Sequence, residues 1–361
     1  MTLQISVNSY LFNVTNLQHL ASTYSTEFEK SLIDLILRWQ GSEQNFSLTT
    51  SGSTGAPKPI TITRNQLQAS AKLTIEALDL KPTETSLICL DTRYIAGQMM
   101  VIRSLENNMN MIAVEPSADP LQTIPASQKI DFAALVPYQL QAILQSTEST
   151  QKLNLIRNVI IGGATLDDKV KSKLQSLQCN IYSTYGMTET ITHIALQRLN
   201  GVDKQNYFQT LKGISIDQDE RQCLMIEAAH FTEKIITNDI VQLSDYNKFI
   251  WLGRYDNVIN SGGIKIIPEK IEPIIAQVFE ALNLHHRFFV TGLPDEKLGN
   301  KVVLLVEGKI TIAAREIIKM LAQNLSKYEV PKEIYFVSRF YETETQKINR
   351  IKTLNLINNI I

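Results

Sequence analysis

A short stretch rich in hydroxyl groups and glycine is the first place in the chain where chemistry is expected. Residues 51–58 hold three hydroxyl side chains, two glycines and one lysine. Small residues let backbone N–H groups approach phosphate oxygens closely, while the hydroxyls add donors and the lysine supplies a point charge. The pattern therefore predicts a phosphate-binding loop, made of Thr50, Ser51, Gly52, Ser53, Thr54, Gly55 and Lys58.

Two other interpretations of this loop have to be weighed. A flexible surface turn has a similar composition, because Gly and Ser are common in ordinary loops. A Walker A loop requires lysine directly after its second glycine and then Ser or Thr, whereas Ala56 follows Gly55 and Pro59 follows Lys58. The P-loop kinases and GTPases are therefore excluded. We expect the loop to lie between a strand and the helix that begins near Arg64.

A second stretch, residues 182–190, offers groups suited to a metal and a nucleotide. Tyr185 provides an aromatic face, Thr188 a hydroxyl and Glu189 a hard oxygen ligand. Mg²⁺ prefers such oxygen, usually with substrate phosphates completing its coordination shell. An isolated Glu would by default be a solvated surface residue, so the metal interpretation depends on its neighbours.

These two stretches, in this order, resemble core motifs of the adenylate-forming enzymes, which include acyl- and aryl-CoA ligases, luciferases and peptide-synthetase adenylation domains. The resemblance implies that Thr184 and Tyr185 border the adenine, with Gly186 beside them in the nucleotide site. It also implies that Thr188 meets phosphate and that Glu189 holds Mg²⁺. The loop Gly162, Gly163 and Ala164 resembles the segment that lines the nucleotide and acyl pockets.

Further downstream, residues 237–239 and 251–257 resemble the ribose-binding and hinge region of that family. Asp239 is a bidentate acceptor suited to two ribose hydroxyls, and Arg254 offers a planar set of donors. The resemblance places the hinge between domains at Asp256. Asn238 stands where the family usually has Gly, and Asn tolerates left-handed backbone better than most residues, so we expect a turn to persist there.

The last two segments in family order lie near the C-terminus. Gly262 and Gly263 resemble a loop that borders the thiol channel in the CoA ligases, and residues 345–350 resemble the motif of the catalytic lysine, which places it at Lys347. A lysine among polar neighbours is by default a surface residue, and Gln346 replaces the usual Gly of this motif. The order and position of the segment favour the catalytic interpretation.

The acid substrate is indicated by residues 94–105, which resemble a segment of the o-succinylbenzoate–CoA ligases of menaquinone synthesis. Tyr94 stands where that branch commonly has His. Its substrate has two carboxylates, of which one is activated and the other needs a cation or strong donors in the pocket. We predict that Arg103 recognises the second carboxylate, with Tyr94, Gly162 and Gly163 around the acid. The alternative interpretation is that Arg103 is a surface residue on an amphipathic helix.

Hydrophobic periodicity predicts an α/β fold. Apolar residues at helical spacing predict helices over residues 28–39 and 64–78, and short apolar strands then alternate with helices up to about residue 177, which is typical of a largely parallel sheet. From about Gly213 short strands predict a β-rich subdomain, and beyond Gly253 a compact α+β unit follows. We therefore predict a domain at residues 1–253 that binds ATP and the acid, and a small mobile domain at 254–361 with the catalytic lysine. Fifty residues precede the phosphate loop, fewer than the family usually has, so we expect a shortened first subdomain.

Composition restricts the partners. The formal net charge of −1 argues against a broad nucleic-acid surface. Three widely separated cysteines form neither a disulfide framework nor a zinc motif, and we expect them to be buried and reduced. No signal peptide or apolar run of about 18 residues is seen, so we expect a cytoplasmic protein. The family resemblance implies a monomer or homodimer that uses ATP, Mg²⁺ and CoA.

We therefore predict an ATP-dependent, AMP-forming acid–CoA ligase, with o-succinylbenzoate as the acid. Another aryl- or acyl-CoA ligase would share every core motif, and a carrier-protein adenylation enzyme would lack affinity for CoA. A non-catalytic nucleotide-binding protein that kept the fold is the alternative from another class. Its support is the pair of departures at Asn238 and Gln346, together with the short N-terminus.

Overall fold

The computed structural model of the chain describes residues 4–7, 10–13, 25–49, 59–342 and 348–357. Several residues that the sequence singles out lie outside this range, and the roles assigned to them stay predictions. They are Thr50, Ser51, Gly52, Ser53, Thr54, Gly55, Lys58 and Lys347.

Strands dominate the described part of the chain. In chain order they are β1 Gln4–Val7, β2 Tyr10–Asn13, β3 Asn45–Thr49, β4 Pro59–Thr63, β5 Thr85–Ile88, β6 Asn110–Ala113, β7 Phe132–Leu135, β8 Asn158–Ile161, β9 Asn180–Gly186, β10 His193–Arg198, β11 Phe208–Thr210, β12 Ile214–Gln218, β13 Cys223–Ala228, β14 Ile235–Asp245, β15 Lys248–Arg254, β16 Ile259–Ser261, β17 Ile264–Ile266, β18 Phe288–Asp295, β19 Gly299–Glu307 and β20 Glu333–Val337. The α-helices are α1 Glu27–Gln40, α2 Arg64–Ala77, α3 Ile95–Glu106, α4 Pro137–Ile143, α5 Thr147–Asn154, α6 Asp168–Leu174, α7 Pro268–Ala281, α8 Ala314–Leu321 and α9 Arg350–Leu354.

The largest element is a sheet of 13 strands in the order β12-β13-β14-β15-β11-β10-β9-β8-β7-β5-β6-β1-β2. Its central strands β6, β5, β7, β8 and β9 are parallel, as predicted. Strands β10 to β15 are antiparallel and extend the same sheet. The predicted β-rich region is therefore a continuation of the main sheet.

Helices cover both faces of the parallel part. Phe132 and Ala134 of β7 belong to one apolar cluster, which also contains residues of α1, α2 and α3. Ala133 and Leu135 belong to a second cluster, which contains residues of α4, α5 and α6. Because successive strand residues point to opposite faces, the two clusters lie on the two sides of the sheet. Such strands are apolar throughout, as expected for a sheet buried on both faces.

The segment around residues 50–58 differs from the prediction of strand, loop and helix. Strand β4 follows the segment and pairs antiparallel with β3, with Phe46 opposite Ile62, so residues 50–58 connect two strands of a hairpin. Both Phe46 and Ile62 are buried, and alternating β-branched residues in β4 favour the extended form. Thr63 then caps α2, because its side chain accepts a hydrogen bond from the Gln66 backbone N–H.

The C-terminal part has a sheet and a core of its own. Strands β17, β16, β19 and β18 are neighbours in that order, and β20 pairs with β19. Ile271 and Ile275 of α7 pack with Val302 and Leu304 of β19. This core is separate from that of the large sheet. The second domain and its boundary at residues 253 and 254 stay predictions.

Two composition-based expectations can be compared with the structure. The three cysteines, Cys89, Cys179 and Cys223, are all free and buried, which confirms the expected burial. In the described ranges there is no helix whose length and apolar character would allow it to cross a bilayer.

Candidate active site

The loop of Gly162, Gly163 and Ala164 lies at the carboxyl end of β8, the end of the strands at which open α/β sheets bind ligands. The Thr184 hydroxyl of β9 donates to the carbonyl oxygen of Ile161 at 3.1 Å. A Cβ on Gly162 would lie 2.8 Å from that hydroxyl oxygen, and Gly163 has a φ of +95°, which favours glycine. The structure thus brings this loop and Thr184 together, while their contacts with nucleotide and acid stay predictions.

Asp239 is the centre of a second group of predicted residues. Its carboxylate is buried, with 6% of the residue exposed. One oxygen accepts a hydrogen bond from the Tyr185 hydroxyl at 2.7 Å, and the other accepts from the Trp251 indole N–H at 3.2 Å. The Arg254 guanidinium lies 3.6 Å from that second oxygen. Residues from the two stretches 182–190 and 251–257 therefore meet at the carboxylate of Asp239.

Tyr185 orients this carboxylate. Its ring packs edge-on against Phe249, with centroids 5.0 Å apart. Burial and the neighbouring Asp239 raise the pKa of the Tyr185 hydroxyl, so it stays protonated and donates. Because each carboxylate oxygen has more than one lone pair, Asp239 can still accept from ribose hydroxyls. This orienting role is additional to the predicted contact of Tyr185 with adenine, which stays a prediction.

The predicted hinge residue, Asp256, lies in a 3-10 helix spanning Tyr255–Asn257. Its carboxylate accepts from Arg254 at 2.9 Å and from the Asn238 amide at 3.2 Å. Arg221 in turn donates to the Asn238 side-chain oxygen at 2.9 Å. The expectation of a left-handed turn at Asn238 was wrong, because this residue lies within β14 and has no positive φ. Its side chain instead tethers Asp256, which a glycine could not do.

The turn between β9 and β10 presents the predicted metal ligand. Glu189 is exposed and Thr188 half-buried. The Thr190 hydroxyl accepts from the Met187 N–H at 2.9 Å and donates to the Thr192 carbonyl at 2.7 Å, which ties the turn together. The exposed carboxylate fits Mg²⁺, which proteins usually bind through one or two carboxylates and substrate phosphates. Within the described ranges, no group of three or more His, Cys, Asp or Glu side chains forms a metal site.

Gly186 is required by close packing. It pairs with His193 across β9 and β10. A Cβ on Gly186 would lie 2.4 Å from both the His193 Cα and the Thr192 carbonyl oxygen, a separation that real Cβ atoms essentially never show. The same turn contains Ile191 at a φ of +68°, a conformation that costs about 1–3 kcal/mol for a non-glycine residue. The backbone of Thr192 and His193 is thus fixed by its surroundings.

Arg103 is buried rather than on the surface, so the interpretation as a surface Arg was wrong. The residue lies in α3 and is 2% exposed. One guanidinium nitrogen donates to the Thr192 hydroxyl at 3.0 Å and another to the Met100 sulfur at 3.9 Å, whereas Nε has no partner among the described residues. Burial lowers the pKa of Arg103 to about 9, so the group is still charged at neutral pH.

Tyr94 and Gly97 stand at the beginning of the same helix. Tyr94 is 46% exposed, and its predicted role at the acid stays a prediction. A Cβ on Gly97 would lie 2.3 Å from the Asp91 carbonyl oxygen. Only glycine therefore allows α3 to begin directly against the segment that follows β5, which sets the position of Arg103 two turns later.

The predicted thiol-channel residues form a tight turn. Gly262 and Gly263 connect β16 to β17 and have φ values of +61° and +84°. Two-residue hairpin turns with positive φ at both positions strongly favour glycine. The geometry explains why both residues are glycines, and their contact with CoA stays a prediction.

Comparisons with known proteins bear on this arrangement. The family model described as AMP-binding enzyme matches residues 42–218. A solved structure from Dyadobacter fermentans DSM 18053, an acyl-CoA synthetase (AMP-forming)/AMP-acid ligase II-like protein, is 40% identical, covers 92% of this chain and 95% of its own, and has a TM-score of 0.63. The chain belongs to the AMP-binding enzyme family. The prediction of an AMP-forming ligase is thereby confirmed.

Other members of the AMP-binding enzyme family are more distant. The 2-succinylbenzoate–CoA ligase of Lactococcus lactis subsp. lactis is 26% identical over 321 residues, which is 84% of this chain and 69% of that protein. The O-succinylbenzoate coenzyme A synthetase of Bacillus subtilis, solved in complex with ATP and magnesium ion, has a TM-score of 0.71 at 20% identity and covers 85% of this chain and 69% of its own. This second likeness confirms the predicted adenylate-forming fold.

Several residues of the site were not found by sequence reasoning. Trp251 lies within the motif at residues 251–257, but no role was predicted for it. Thr192 and His193 follow shortly after the Glu189 motif. Their importance depends on contacts with residues distant in sequence, namely Asp239 and Arg103. One local signal pointed to the contact between Thr192 and Arg103, because Arg103 is the only charged residue in α3 before its C-terminal Glu106.

Proposed function

We propose that this AMP-binding enzyme is an acid–CoA ligase that works through an acyl-adenylate and takes 2-succinylbenzoate as its acid. The class of reaction follows from the family. The choice of acid is supported by relatives named as 2-succinylbenzoate–CoA ligases, which are about a quarter identical to the chain. It is supported independently by the environment of Arg103.

The observation that carries the choice of acid is a buried charge without a counter-charge. Arg103 has five N–H donors, and its partners among the described residues are one hydroxyl and one sulfur. A buried charge is costly unless it is paired and hydrogen-bonded. An anionic ligand would compensate it, and 2-succinylbenzoate has a carboxylate to spare. Its ring carboxylate is hindered by the ortho substituent, so we assign the aliphatic carboxylate to activation and the ring carboxylate to Arg103.

In the first step the aliphatic carboxylate attacks the α-phosphorus of ATP. A carboxyl-oxygen–phosphorus bond forms, the bond to the β-phosphate breaks, and pyrophosphate leaves. No general base is needed, because the carboxylate is ionised at neutral pH. In the proposed site Asp239, oriented by Tyr185 and Trp251, binds the ribose, and Arg254 lies beside it. Mg²⁺ on Glu189 would neutralise charge developing on the phosphates, and the loop at residues 51–58 would bind them.

In the second step the CoA thiol attacks the acyl carbon, forming the thioester and releasing AMP. Lys347 has no task in this step and would obstruct the thiol. We propose that the small domain turns about Asp256, which withdraws Lys347 and brings the Gly262–Gly263 turn inward. Such a hinge motion completes a second site from the same chain.

Pyrophosphate release over a panel of acids tests the proposal. With ATP and Mg²⁺, 2-succinylbenzoate is expected to give the highest kcat/KM, and CoA is expected to convert the adenylate to thioester. Release with a different acid at a higher kcat/KM would reassign the substrate within the CoA ligases. Adenylation with no thioester formation would favour a carrier-protein adenylation enzyme, and the absence of release with every acid would favour a non-catalytic protein.

Replacing Arg103 with methionine is expected to raise the KM for 2-succinylbenzoate about 10- to 100-fold, since hydrogen bonds to a charged group contribute about 1.5–3 kcal/mol. The same change is expected to raise the free energy of unfolding by about 1 kcal/mol or more, because it removes a buried charge that lacks a counter-charge. Steady-state kinetics and urea unfolding measure the two effects.

Arg315→Met is the matched control, because it makes the same chemical change at an exposed position of α8. It is expected to leave the KM for 2-succinylbenzoate and the free energy of unfolding unchanged. An Arg103→Met enzyme with an unchanged KM for 2-succinylbenzoate would contradict the assignment of this acid.

A further inference from the structure

A chain of side chains connects Arg103 to helix α2, on the far side of His193. The Arg103 guanidinium donates to the Thr192 hydroxyl at 3.0 Å, and that hydroxyl lies 3.4 Å from Nδ1 of His193. Nε2 of His193 lies 3.1 Å from the Thr74 hydroxyl, which in turn lies 3.4 Å from the Ser70 carbonyl oxygen. Four side chains from three elements therefore form one connected path.

Most of this path is shielded from water, while Thr192 is half-buried. Thr74 is completely buried, and His193 is 6% exposed. A buried polar group that loses its partner costs about 1–3 kcal/mol, so each member depends on the next. The connection spans 119 residues of sequence between Thr74 and His193, and none of the family motifs includes Thr74.

The donors and acceptors along the path have one consistent order. A hydroxyl has one proton, and Thr192 accepts from Arg103, so its proton is free to point to Nδ1 of His193. That nitrogen is then the acceptor, and Nε2 carries the hydrogen and donates to Thr74. Thr74 donates to the Ser70 carbonyl. Burial and the nearby Arg103 lower the pKa of His193, so the ring is neutral and has one donor and one acceptor, as this order requires.

We infer that His193 and Thr74 are positioning residues for acid recognition, acting on Arg103 through the hydroxyl of Thr192. The inference rests on the proposed function, in which Arg103 binds the second carboxylate. Because Gly186 and Ile191 fix the backbone of Thr192, the rotations of its side chain and of its hydroxyl are the freedom that remains. His193 directs that proton away from Arg103, so a lone pair faces the guanidinium and holds one of its nitrogens. The Nε group, which has no partner among the described residues, then donates to the carboxylate.

Thr74→Val tests the inference, since it removes one hydroxyl and nearly preserves shape. The KM for 2-succinylbenzoate is expected to rise about 3- to 10-fold, the size expected from one hydrogen bond. The KM for ATP and kcat are expected to be unchanged. Thr74→Ser, which keeps the hydroxyl, is expected to restore the KM. With 4-oxo-4-phenylbutanoate, which is 2-succinylbenzoate without its ring carboxylate, Thr74→Val and the unchanged enzyme are expected to have the same KM.

A second pair of variants covers the case in which Thr74→Val fails to fold. His193→Gln keeps an amide that can donate to Thr74 and accept a hydrogen bond, whereas His193→Leu has neither group. We expect the KM for 2-succinylbenzoate to be at least threefold lower in His193→Gln than in His193→Leu. Thr150→Val is the control for loss of a partly buried hydroxyl, because Thr150 donates to the Ile143 carbonyl on the other side of the sheet.

Comparison with Arg103→Met separates two kinds of failure. If Arg103→Met raises the KM for 2-succinylbenzoate and neither Thr74→Val nor His193→Leu does, the positioning inference is wrong and the proposed substrate stands. If Arg103→Met has no effect, the proposed recognition is wrong. If Thr74→Val raised the KM for both acids and for ATP by the same factor, its role would be merely structural. That result would also overturn the inference.

Discussion

Lys347→Ala is expected to lower the rate of acyl-adenylate formation at least about 100-fold, while thioester formation from supplied acyl-adenylate and CoA stays within about twofold of the unchanged enzyme. In the proposed mechanism the lysine stabilises negative charge around the α-phosphorus, and removing one group that stabilises a transition state costs about 10²–10³ in kcat. It has no part in attack by the thiol. Pyrophosphate release and thioester formation, measured separately, test the two halves.

Lys347 lies outside the described residues, and the described residues on either side of it belong to the small domain. Glu342 and Ile348 form an antiparallel bridge. Arg350 then forms an ion pair with Glu272 of α7 at 2.9 Å, so α9 is attached to the small domain. Lys352→Ala, at an exposed position of α9, is the matched control and should leave both half-reactions unchanged. Survival of both half-reactions in Lys347→Ala would show that the lysine was assigned wrongly.

Gly186→Ala is expected to have the second large effect, on both stability and activity. The added methyl group would meet two backbone atoms at 2.4 Å, and backbone cannot move aside as a flexible side chain can. Overpacking of this kind costs up to about 3 kcal/mol. Displacing Thr192 and His193 by about 1 Å would lower kcat/KM for the acid by about 100-fold. Urea unfolding and pyrophosphate release measure the two losses.

Gly41→Ala provides the comparison for this change. Gly41 has a φ of −76°, and the nearest atom to an added Cβ is 3.4 Å away, an ordinary contact. We expect Gly41→Ala to change the free energy of unfolding of the protein by less than about 0.5 kcal/mol. If Gly186→Ala were as stable and as active as Gly41→Ala, the close approach of β9 and β10 described above would be wrong.

Local patterns predicted individual elements well. The helix predicted over residues 64–78 begins where α2 begins, at Arg64 after the capping residue Thr63, and ends one residue beyond it. The helix predicted over residues 28–39 differs from α1 by one residue at each end. In both cases apolar residues recur at helical spacing and nearby residues mark the ends. Such signals are contained in the sequence of the element itself.

Contacts between distant segments were harder to predict. Strand β4 was missed because its partner, β3, lies on the other side of residues 50–58. A short β-branched run next to prolines did not by itself indicate a strand. Asn238 was interpreted from its backbone preference, whereas its side chain bonds Asp256 in the next segment. The sequence left two locations possible for Arg103, the surface and the acid pocket. In the structure α3 is buried from Gly97 to Ser104 without interruption, a pattern typical of a helix enclosed on all sides.

The guanidinium of Arg103, which has no counter-charge among the described residues, also bears on the lifetime of the protein. The described part of the chain buries this positive charge against one hydroxyl and one sulfur. Any anion that occupies the pocket removes part of this penalty, so the occupied form unfolds less often. Since proteases degrade chains in proportion to how often they open, the abundance of the enzyme should follow the supply of its own acid.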